Sequence, residues 1–260
     1  MKPVYLAWGF ASMAVALPTL ANDEVELIHA RSIVSTKYGI SVQTTQFSVR
    51  VKNLGYAKQV AIHYRQANGQ WQDVALQYHG PAEQGAEIWA GQIPNYGETG
   101  QPGMPMALDF VISYRVSGRQ FWDNNAGRHY QLAPTAGDAL FGRNLFVPNH
   151  APTVDHFWGG QYYGNVVLKN LGYDKDVQVV YTTDQWRTQR VAHASFSPHY
   201  WASTYAHTAN PNPAGQEVWS YTLDVGAATE VEYAVRYQVN GQTYWDNNFG
   251  RNYRTSLKQR

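Results

Sequence analysis

Apolar and polar residues alternate along much of the chain with a period of two. Between residues 230 and 239 every second position is apolar, in the order Val231, Tyr233, Val235, Tyr237 and Val239. The same alternation recurs at 47–51, 110–116 and 177–181. A period of two is typical of a β-strand with one buried face. Glycine, proline and asparagine clusters separate these runs, so the pattern predicts an all-β protein of short antiparallel strands.

Two sequence motifs occur once in each half of the chain, in the same order. The first ends in Asn-Leu-Gly-Tyr at Tyr56 and again at Tyr173, and the second, Trp-Asp-Asn-Asn, begins at Trp122 and again at Trp245. Repeats this far apart are domains rather than solenoid units, which are shorter and must stack to bury their faces. We therefore predict two tandem immunoglobulin-like antiparallel β-sandwich domains.

The domain boundaries follow from the repeat. The first domain is expected at residues 22–131 and the second at residues 145–260. The stretch 132–144 between them contains Pro134 and Gly137. Because proline and glycine are typical of connections between packed elements, we expect this stretch to be a linker.

Residues 1–21 do not follow the strand pattern. They carry one basic residue, Lys2, then an apolar run from Val4 to Leu17, and small residues at Thr19 and Ala21. This order is typical of a secretory signal peptide, and we expect cleavage after Ala21. The protein is therefore predicted to be exported, to the periplasm or outside the cell. No later stretch is long and apolar enough for a membrane span of about 20 residues.

Composition and charge remove several function classes. The chain has 20 Lys and Arg against 19 Asp and Glu, for a formal net charge of +1, so no bulk charge draws it to nucleic acid. It has no cysteine, which excludes disulfides, thiolate nucleophiles and cysteine-ligated metal. The 9 histidines lack metal-ligand spacing, and the common hydrolase, zinc-protease and phosphate-loop motifs are absent. We expect no enzymatic activity, no cofactor and no metal, while a carboxylate pair for glycoside hydrolysis stays open.

Aromatic residues make up 14% of the chain, and one hairpin indicates where a tryptophan points. The Asn-Gly pair at 240–241 predicts a two-residue type I′ turn, which fixes the register of the flanking strands. Counting back from the turn places Tyr237 opposite Tyr244 on the apolar face. Arg236 falls opposite Trp245 on the polar face, where no core is available to cover an indole. We predict that Trp245 lies on the exterior.

The first copy gives the same result from a weaker turn signal. A Ser-Gly pair at 117–118 places Phe121 with Tyr114 inside and Trp122 with Ser113 outside. Each exterior tryptophan is followed at once by Asp-Asn-Asn, so amide and carboxylate groups flank an exposed ring. Such a surface suits a sugar ring, which has C–H groups on its faces and hydroxyls around its edge. A tryptophan that covers a hydrophobic rim beneath a loop is the alternative.

The two motifs together resemble a known family. The order Lys-Asn-Leu-Gly-Tyr-x-Lys, a strand, a tryptophan and then Gly-Gln-Thr-Tyr-Trp-Asp-Asn-Asn is similar to carbohydrate-binding module family 21. This family includes fungal glucoamylase starch-binding domains and the glycogen-targeting subunits of protein phosphatase 1. The resemblance covers nearly all of the second domain and most of the first. It implies an immunoglobulin-like sandwich that binds α-glucans such as starch or glycogen without catalysis.

The resemblance also implies which residues bind the sugar. One surface would use a loop tryptophan, the tryptophan after the hairpin, a lysine and one or two asparagines. The matching positions are Trp71, Trp122, Lys58 and Asn124 in the first domain, and Trp186, Trp245, Lys175, Asn247 and Asn252 in the second. His129 stands where the second domain has Asn252, and Val111 and Ala234 replace a tyrosine that lines this surface in some members.

A second surface is implied around the tyrosine of the Asn-Leu-Gly-Tyr motif, here Tyr56 and Tyr173. Rings from a variable middle segment would complete it, and the candidates are Tyr78, Tyr200, Trp201 and Tyr205. For Tyr56 and Tyr173, a turn tyrosine that packs its ring is the alternative. For Lys58 and Lys175, the alternative is ordinary solvated surface.

Four further residues are expected to have structural roles. Trp89 and Trp219 lie in alternating strands and are expected in the core. Asp123 and Asp246 are expected to accept hydrogen bonds from nearby backbone amides at a strand end.

From the motifs and the family resemblance, we expect non-catalytic binding of α-glucan through exposed Trp and Tyr side chains on two tandem modules. The expected partners are an α-glucan polysaccharide and, as a candidate, an amylolytic enzyme; nucleic acid is not expected. An exported immunoglobulin-like adhesin or assembly protein that binds a protein partner is the alternative. The Arg/Lys-Val-x-Phe motif, by which the targeting subunits dock on the phosphatase, is absent from this sequence.

Overall fold

The computed structural model describes residues 24–93, 105–148, 150–154, 158–202, 206 and 208–258. The predicted signal peptide at 1–21 and the candidate Tyr205 lie outside these residues. Within them the regular structure is β-strand, apart from two short 3-10 turns at Glu83–Gly85 and Trp158–Gly160. The all-β prediction is confirmed.

The first module, as we call strands β1 to β10, is a sandwich of two antiparallel sheets. Its strands are β1 (Val25–Lys37), β2 (Ile40–Lys52), β3 (Lys58–Arg65), β4 (Trp71–Ala75), β5 (Gln77–Pro81), β6 (Ala86–Gly91), β7 (Leu108–Val116), β8 (Arg119–Asp123), β9 (Tyr130–Leu132) and β10 (Gly137–Leu140). One sheet has the order β10-β1-β2-β6-β5, and the other has the order β4-β3-β7-β8 with β9 also paired to β7. The alternating apolar residues of both sheets meet in one core, which includes Phe47, Val49, Ile62, Phe110 and Tyr114.

The second module is also a sandwich of two sheets, antiparallel except where β12 pairs with β20 in parallel. Its strands are β11 (Leu145–Phe146), β12 (Thr153–Val154), β13 (Gln161–Lys169), β14 (Lys175–Thr182), β15 (Arg190–His193), β16 (Ser195–Phe196), β17 (Gln216–Asp224), β18 (Glu230–Val239), β19 (Gln242–Asp246) and β20 (Tyr253–Leu257). One sheet has the order β11-β13-β17-β16, and the other has the order β12-β20-β18-β14-β15 with β19 also paired to β18. Its core is rich in buried tyrosine, including Tyr162, Tyr221, Tyr233 and Tyr237.

Both predicted hairpins have the predicted register. In the β18–β19 hairpin, Arg236 pairs with Trp245, and the turn residues Asn240 and Gly241 have positive φ of 51° and 73°, as a type I′ turn requires. In the β7–β8 hairpin, Ser113 pairs with Trp122. Both tryptophans are therefore on the outer faces of their sheets.

The aspartate after each of these tryptophans has the expected structural role. The Asp246 carboxylate accepts the backbone N–H of Val147 at 2.8 Å and the hydroxyl of Tyr253 at 2.7 Å. Asp123 accepts the backbone N–H of Leu27 at 2.8 Å. Asp123 thus holds the end of its hairpin to strand β1 of the opposite sheet, and Asp246 holds its hairpin to the residue that follows β11.

The stretch 132–144 is largely packed against both modules, although the sequence indicates a linker. Its strand β10 pairs with β1, and the buried Asp138 side chain lies between the two modules. Asp138 Oδ1 is 2.6 Å from His29 Nε2, and its Oδ2 accepts the Trp201 indole N–H at 2.6 Å. Around these groups lies an apolar cluster shared by both modules: Ile28, Ala82, Ala86, Ile88, Leu140, Phe146, Val167, Trp201, Val218 and Phe249. The modules are joined by buried contacts as well as by the chain.

Candidate functional site

A cluster of four aromatic side chains lies on the outer face of the β4-β3-β7-β8 sheet. The ring of His63 stacks on Trp71 at a centroid distance of 4.8 Å and an interplanar angle of 9°. Trp122 meets the edge of His63 at 5.4 Å, and His129 meets Trp71 edge-on at 5.4 Å. We call Trp71, His63, Trp122 and His129 the first ring cluster.

Strand pairing explains why these rings meet. His63 pairs with Asp73 and Arg65 pairs with Trp71 across β3 and β4, so His63 and Trp71 share one face. His63 Nδ1 also lies 2.6 Å from Asp73 Oδ1, which fixes the orientation of the imidazole. Because the imidazole covers one face of the Trp71 indole, only the opposite face can stack on a ligand. Trp122 is on the predicted face but half-buried, since His63 packs against it.

The second module exposes its hairpin tryptophan more than the first module does. Trp245 is 49% exposed and Trp186 is 38% exposed, against 39% for Trp71. The position of His63 is taken by Val180, which is buried. The Arg236 guanidinium lies 5.9 Å from the centre of the Trp245 ring and donates a hydrogen bond to Gln178. In the second module the hairpin indole therefore lies beside a cation, whereas in the first module it pairs with Ser113.

The loop that carries Trp186 is held by its own hydrogen bonds. Asp184 accepts the backbone N–H of Thr188 at 2.9 Å and the hydroxyls of Thr188 and Thr182 at 2.7 and 2.8 Å. These bonds, those from Thr188 first, lower the pKa of Asp184 to about 2. The Trp186 backbone N–H donates to Thr182 Oγ1 at 3.1 Å. The loop is thus ordered without a ligand.

The predicted asparagines divide into two groups. The carbonyl oxygens of Asn124 and Asn247 accept the backbone N–H of Gly127 and Gly250 at 3.0 and 2.9 Å, which leaves the NH₂ groups of the exposed Asn124 and the half-buried Asn247 to donate. Asn252 instead donates to Glu232 at 2.7 Å. In the first module His129 makes the same bond to an acidic residue, Asp109, at 2.9 Å.

The predicted lysines do not lie on this surface as free charges. Lys58 and Lys175 are only 5% and 8% exposed. The Lys58 ammonium donates to Glu87 at 3.0 Å, and the Lys175 ammonium donates to Glu217 at 3.3 Å. Each ion pair joins the two sheets of its module at the edge of the sandwich. Ordinary solvated surface, the alternative for these lysines, is wrong.

The same edge carries a repeated pair of rings. Glu87 and Glu217 also accept the indole N–H of Trp89 and Trp219, each at 3.0 Å. Both indoles are half-buried against the core, as the sequence indicates. An exposed ring crosses each indole edge-on, Tyr78 at 6.1 Å from Trp89 and Phe196 at 6.3 Å from Trp219. We call the groups Lys58, Glu87, Trp89 and Tyr78, and Lys175, Glu217, Trp219 and Phe196, the edge clusters.

Tyr56 and Tyr173 are fully exposed, so the alternative of a packed turn tyrosine is wrong. Each lies two residues before the lysine of its edge cluster. Of the other candidates for the second surface, Tyr78 is exposed and Tyr200 is half-buried beneath the Arg31 guanidinium. Trp201 is buried between the modules and cannot contact a surface ligand.

Comparison with known proteins decides the family. The model of the carbohydrate/starch-binding module (family 21) matches residues 31–133 and again residues 158–256. The chain belongs to this family. The two matched segments coincide with the two sandwiches, so the resemblance drawn from the sequence motifs is confirmed.

Individual relatives match one family 21 segment. Protein phosphatase 1 regulatory subunit 3B of Homo sapiens is 33% identical over 97 residues, which are 35% of this chain and 30% of that protein. Glucoamylase 1 of Rhizopus oryzae is 30% identical over 104 residues, which are 39% of this chain and 15% of that enzyme. The matches therefore span less than a third of either relative.

Among solved structures, the starch-binding domain of Rhizopus oryzae glucoamylase in complex with β-cyclodextrin and maltoheptaose is 27% identical. It aligns with 44% of this chain and 94% of its own, at a TM-score of 0.33. A TM-score of this size carries no argument of its own.

The sequence analysis did not identify two residues of the ring and edge clusters, His63 and Phe196, nor the ring contact of His129. Strand alternation could have placed His63 beside Trp71, and the hairpin count already places Arg236 beside Trp245. Phe196 had no signal, because β16 is only two residues long. Within the described residues no group of three His, Asp or Glu side chains could hold a metal ion. No helix there is long and apolar enough to cross a membrane.

Proposed function

We propose that the two family 21 modules bind α-glucan, such as starch, glycogen or maltooligosaccharides, and do so without catalysis. The observation that carries the proposal is the exposure of Trp71, Trp186 and Trp245 on the outer sheet faces. Asn124 and Asn247 each follow their hairpin tryptophan by two residues, and their NH₂ groups donate to no other group among the residues that the structure describes. Indole faces suit the C–H faces of glucose, and these donors suit its hydroxyls.

Each surface binds weakly by itself, because a shallow platform desolvates few polar groups. A long glucan that reaches both modules raises the effective concentration at the second surface. Such avidity increases binding by roughly 10²–10⁴ over one surface. The edge clusters and the exposed Tyr56 and Tyr173 offer further rings to the same polysaccharide, as the family resemblance implies.

The test is retention of the full chain on insoluble starch. Replacing Trp122 and Trp245 together by alanine is expected to abolish retention, because one ring of each outer surface is lost. Thermal unfolding of the double variant is the control for its fold, and we expect it to be the same as that of the wild type. Unchanged retention would refute the assignment of the site.

We also propose that the protein is exported and acts with an amylolytic enzyme that shares its polysaccharide. The support is the leader-like sequence at 1–21 and the absence of the phosphatase-docking motif. Amino-terminal sequencing of the mature protein is expected to begin at Asn22. An amino terminus at Met1 on a protein retained in the cytoplasm would contradict export.

A further inference from the structure

A cavity of about 620 Å³ lies between the two modules. One wall is the outer face of β2 and β6, which contributes Gln46, Ser48 and Gln92. The other wall belongs to the second module and includes Asn248, Phe249 and Arg251. The volume is within the range of about 300–1,000 Å³ that is typical of small-ligand pockets. Because each module supplies one wall, neither forms this cavity by itself.

The lining of the cavity combines apolar and hydrogen-bonding surface, which suits a hydroxyl-rich ligand. Phe146, Phe249 and several prolines give it apolar surface, while side-chain amides and Ser48 give it hydrogen-bonding groups. No described lining residue is a carboxylate. A pyranose has the same two kinds of surface, with C–H groups on its faces and hydroxyls at its edge.

Arg251 is the one arginine in this lining and reaches across the cavity. Its Nη2 would lie 3.7 Å from a Cβ added at Gly80 of the first module. Among the described residues its guanidinium has no hydrogen bond or ion pair. Its five N–H donors are therefore available to hydroxyl oxygens.

The cavity continues towards the outer surface of the second module. A second depression, of about 610 Å³, shares His150, Asn248 and Arg251 with the first. It is also lined by Asn252 and Glu232, which bond to each other. Asn252 is one of the residues that the family resemblance assigns to glucan contact. The two depressions are therefore neighbours, and Asn252 lines the one that adjoins the space between the modules.

We propose that this inter-module cavity is a third α-glucan site, which takes the segment of a glucan chain that leaves the second module beyond Asn252. The proposal rests on the proposed function and adds to it a site that requires both modules. Arg251 donates to the sugar hydroxyls there, and the wall that includes Phe249 contacts the sugar C–H groups.

The first test compares Arg251→Ala with Arg128→Ala in the full chain. Arg128 is the counterpart of Arg251 in the first module, where its guanidinium bonds to Asn125 of its own turn at 3.4 Å; it does not line either of the two depressions described above. Calorimetric titration with maltoheptaose is expected to show roughly tenfold weaker binding for Arg251→Ala, since charged hydrogen bonds are lost. Arg128→Ala is expected to match the wild type.

The second test fills the cavity from the opposite wall. Ser48→Phe is expected to weaken maltoheptaose binding as Arg251→Ala does, whereas Ser48→Ala is expected to leave binding unchanged. Thermal unfolding shows that each variant is folded. If Arg251→Ala and Ser48→Phe both bind as the wild type does, the third site is wrong while the outer surfaces stand. If the wild type binds no maltoheptaose or amylose, the proposed function and the third site both fall.

Discussion

At the scale of the residue, the two modules differ at positions that decide how much of each indole is available. His63 covers one face of Trp71 and packs against Trp122, whereas Val180 at the matching position is buried and Trp245 is exposed. The first module therefore offers a fixed but smaller ring surface. The second offers a more open one, with the Arg236 cation beside Trp245.

The Trp186 loop depends on one carboxylate, that of Asp184. Its folded-state pKa is lowered from 3.8 to about 2. Because the folded value is depressed, the contribution of the carboxylate to loop stability is complete above about pH 4 and is lost as the pH falls towards 2. Asp184 is ionised at both pH 7 and pH 5, so it is expected to cause no difference in the affinity of wild-type protein for glucan between these two pH values.

Asp184→Ala is expected to weaken maltooligosaccharide binding severalfold at pH 7, because the freed loop must be ordered on binding. Tryptophan fluorescence titration in a chain with Trp71→Ala and Trp122→Ala isolates the second module. Asp174→Ala, at an exposed residue, is the matched control. Equal affinity of the Asp184→Ala and control proteins would show that the loop needs no such support.

At the scale of the element, local patterns predicted strands and hairpins well. Alternation identified β7, β14 and β18, and the Asn-Gly turn fixed the register that places Trp245 beside Arg236. Turn geometry is local, so a short sequence determines it. The half-burial of Trp122 was not predictable in this way, because His63 comes from β3, a strand distant in sequence.

The edge clusters also depend on pairing between distant strands. Lys58 and Lys175 matched a family motif, but their ion pairs with Glu87 and Glu217 require both sheets to be in place. The sequence motif therefore identified the two lysines but gave no indication of the glutamates with which they pair. These lysines therefore stabilise the sandwich by joining its two sheets. This role is independent of any contact that they make with sugar.

Removing one partner of such an ion pair tests this role. Glu217→Gln leaves the Lys175 ammonium buried without its counter-charge, so we expect the free energy of unfolding of the second module to fall by about 3–5 kcal/mol. Chemical denaturation measures it. Glu230→Gln, at an exposed position, is expected to change little. A comparably small change for Glu217→Gln would mean that Lys175 is well solvated.

At the scale of the whole molecule, the modules are coupled by a buried interface. A register shift between Leu27 and His29 in β1 marks a β-bulge, which lets both Ile28 and His29 face the second module. Asp138 accepts from both modules at once. Sequence could not predict this, because residues 132–144 have the proline and glycine content of a linker and their packing depends on both sandwiches.

Asp138→Ala tests the coupling. It leaves the buried His29 and Trp201 donors without an acceptor, at a cost of about 1–3 kcal/mol for each. We expect calorimetry of the wild type to show one unfolding transition and that of Asp138→Ala to show two, as the modules separate. Asp174→Ala is expected to keep one transition. A single transition for Asp138→Ala, at the wild-type temperature, would mean that Asp138 does not hold the modules together.

The most direct test of α-glucan binding is native electrophoresis of the full wild-type chain in a gel that contains glycogen. We expect the protein to migrate more slowly than in a gel without glycogen, and to migrate normally once a cyclic maltooligosaccharide is added as competitor. Equal migration in both gels would contradict it. Retardation that the competitor does not relieve would also contradict it, and would favour the protein-binding alternative.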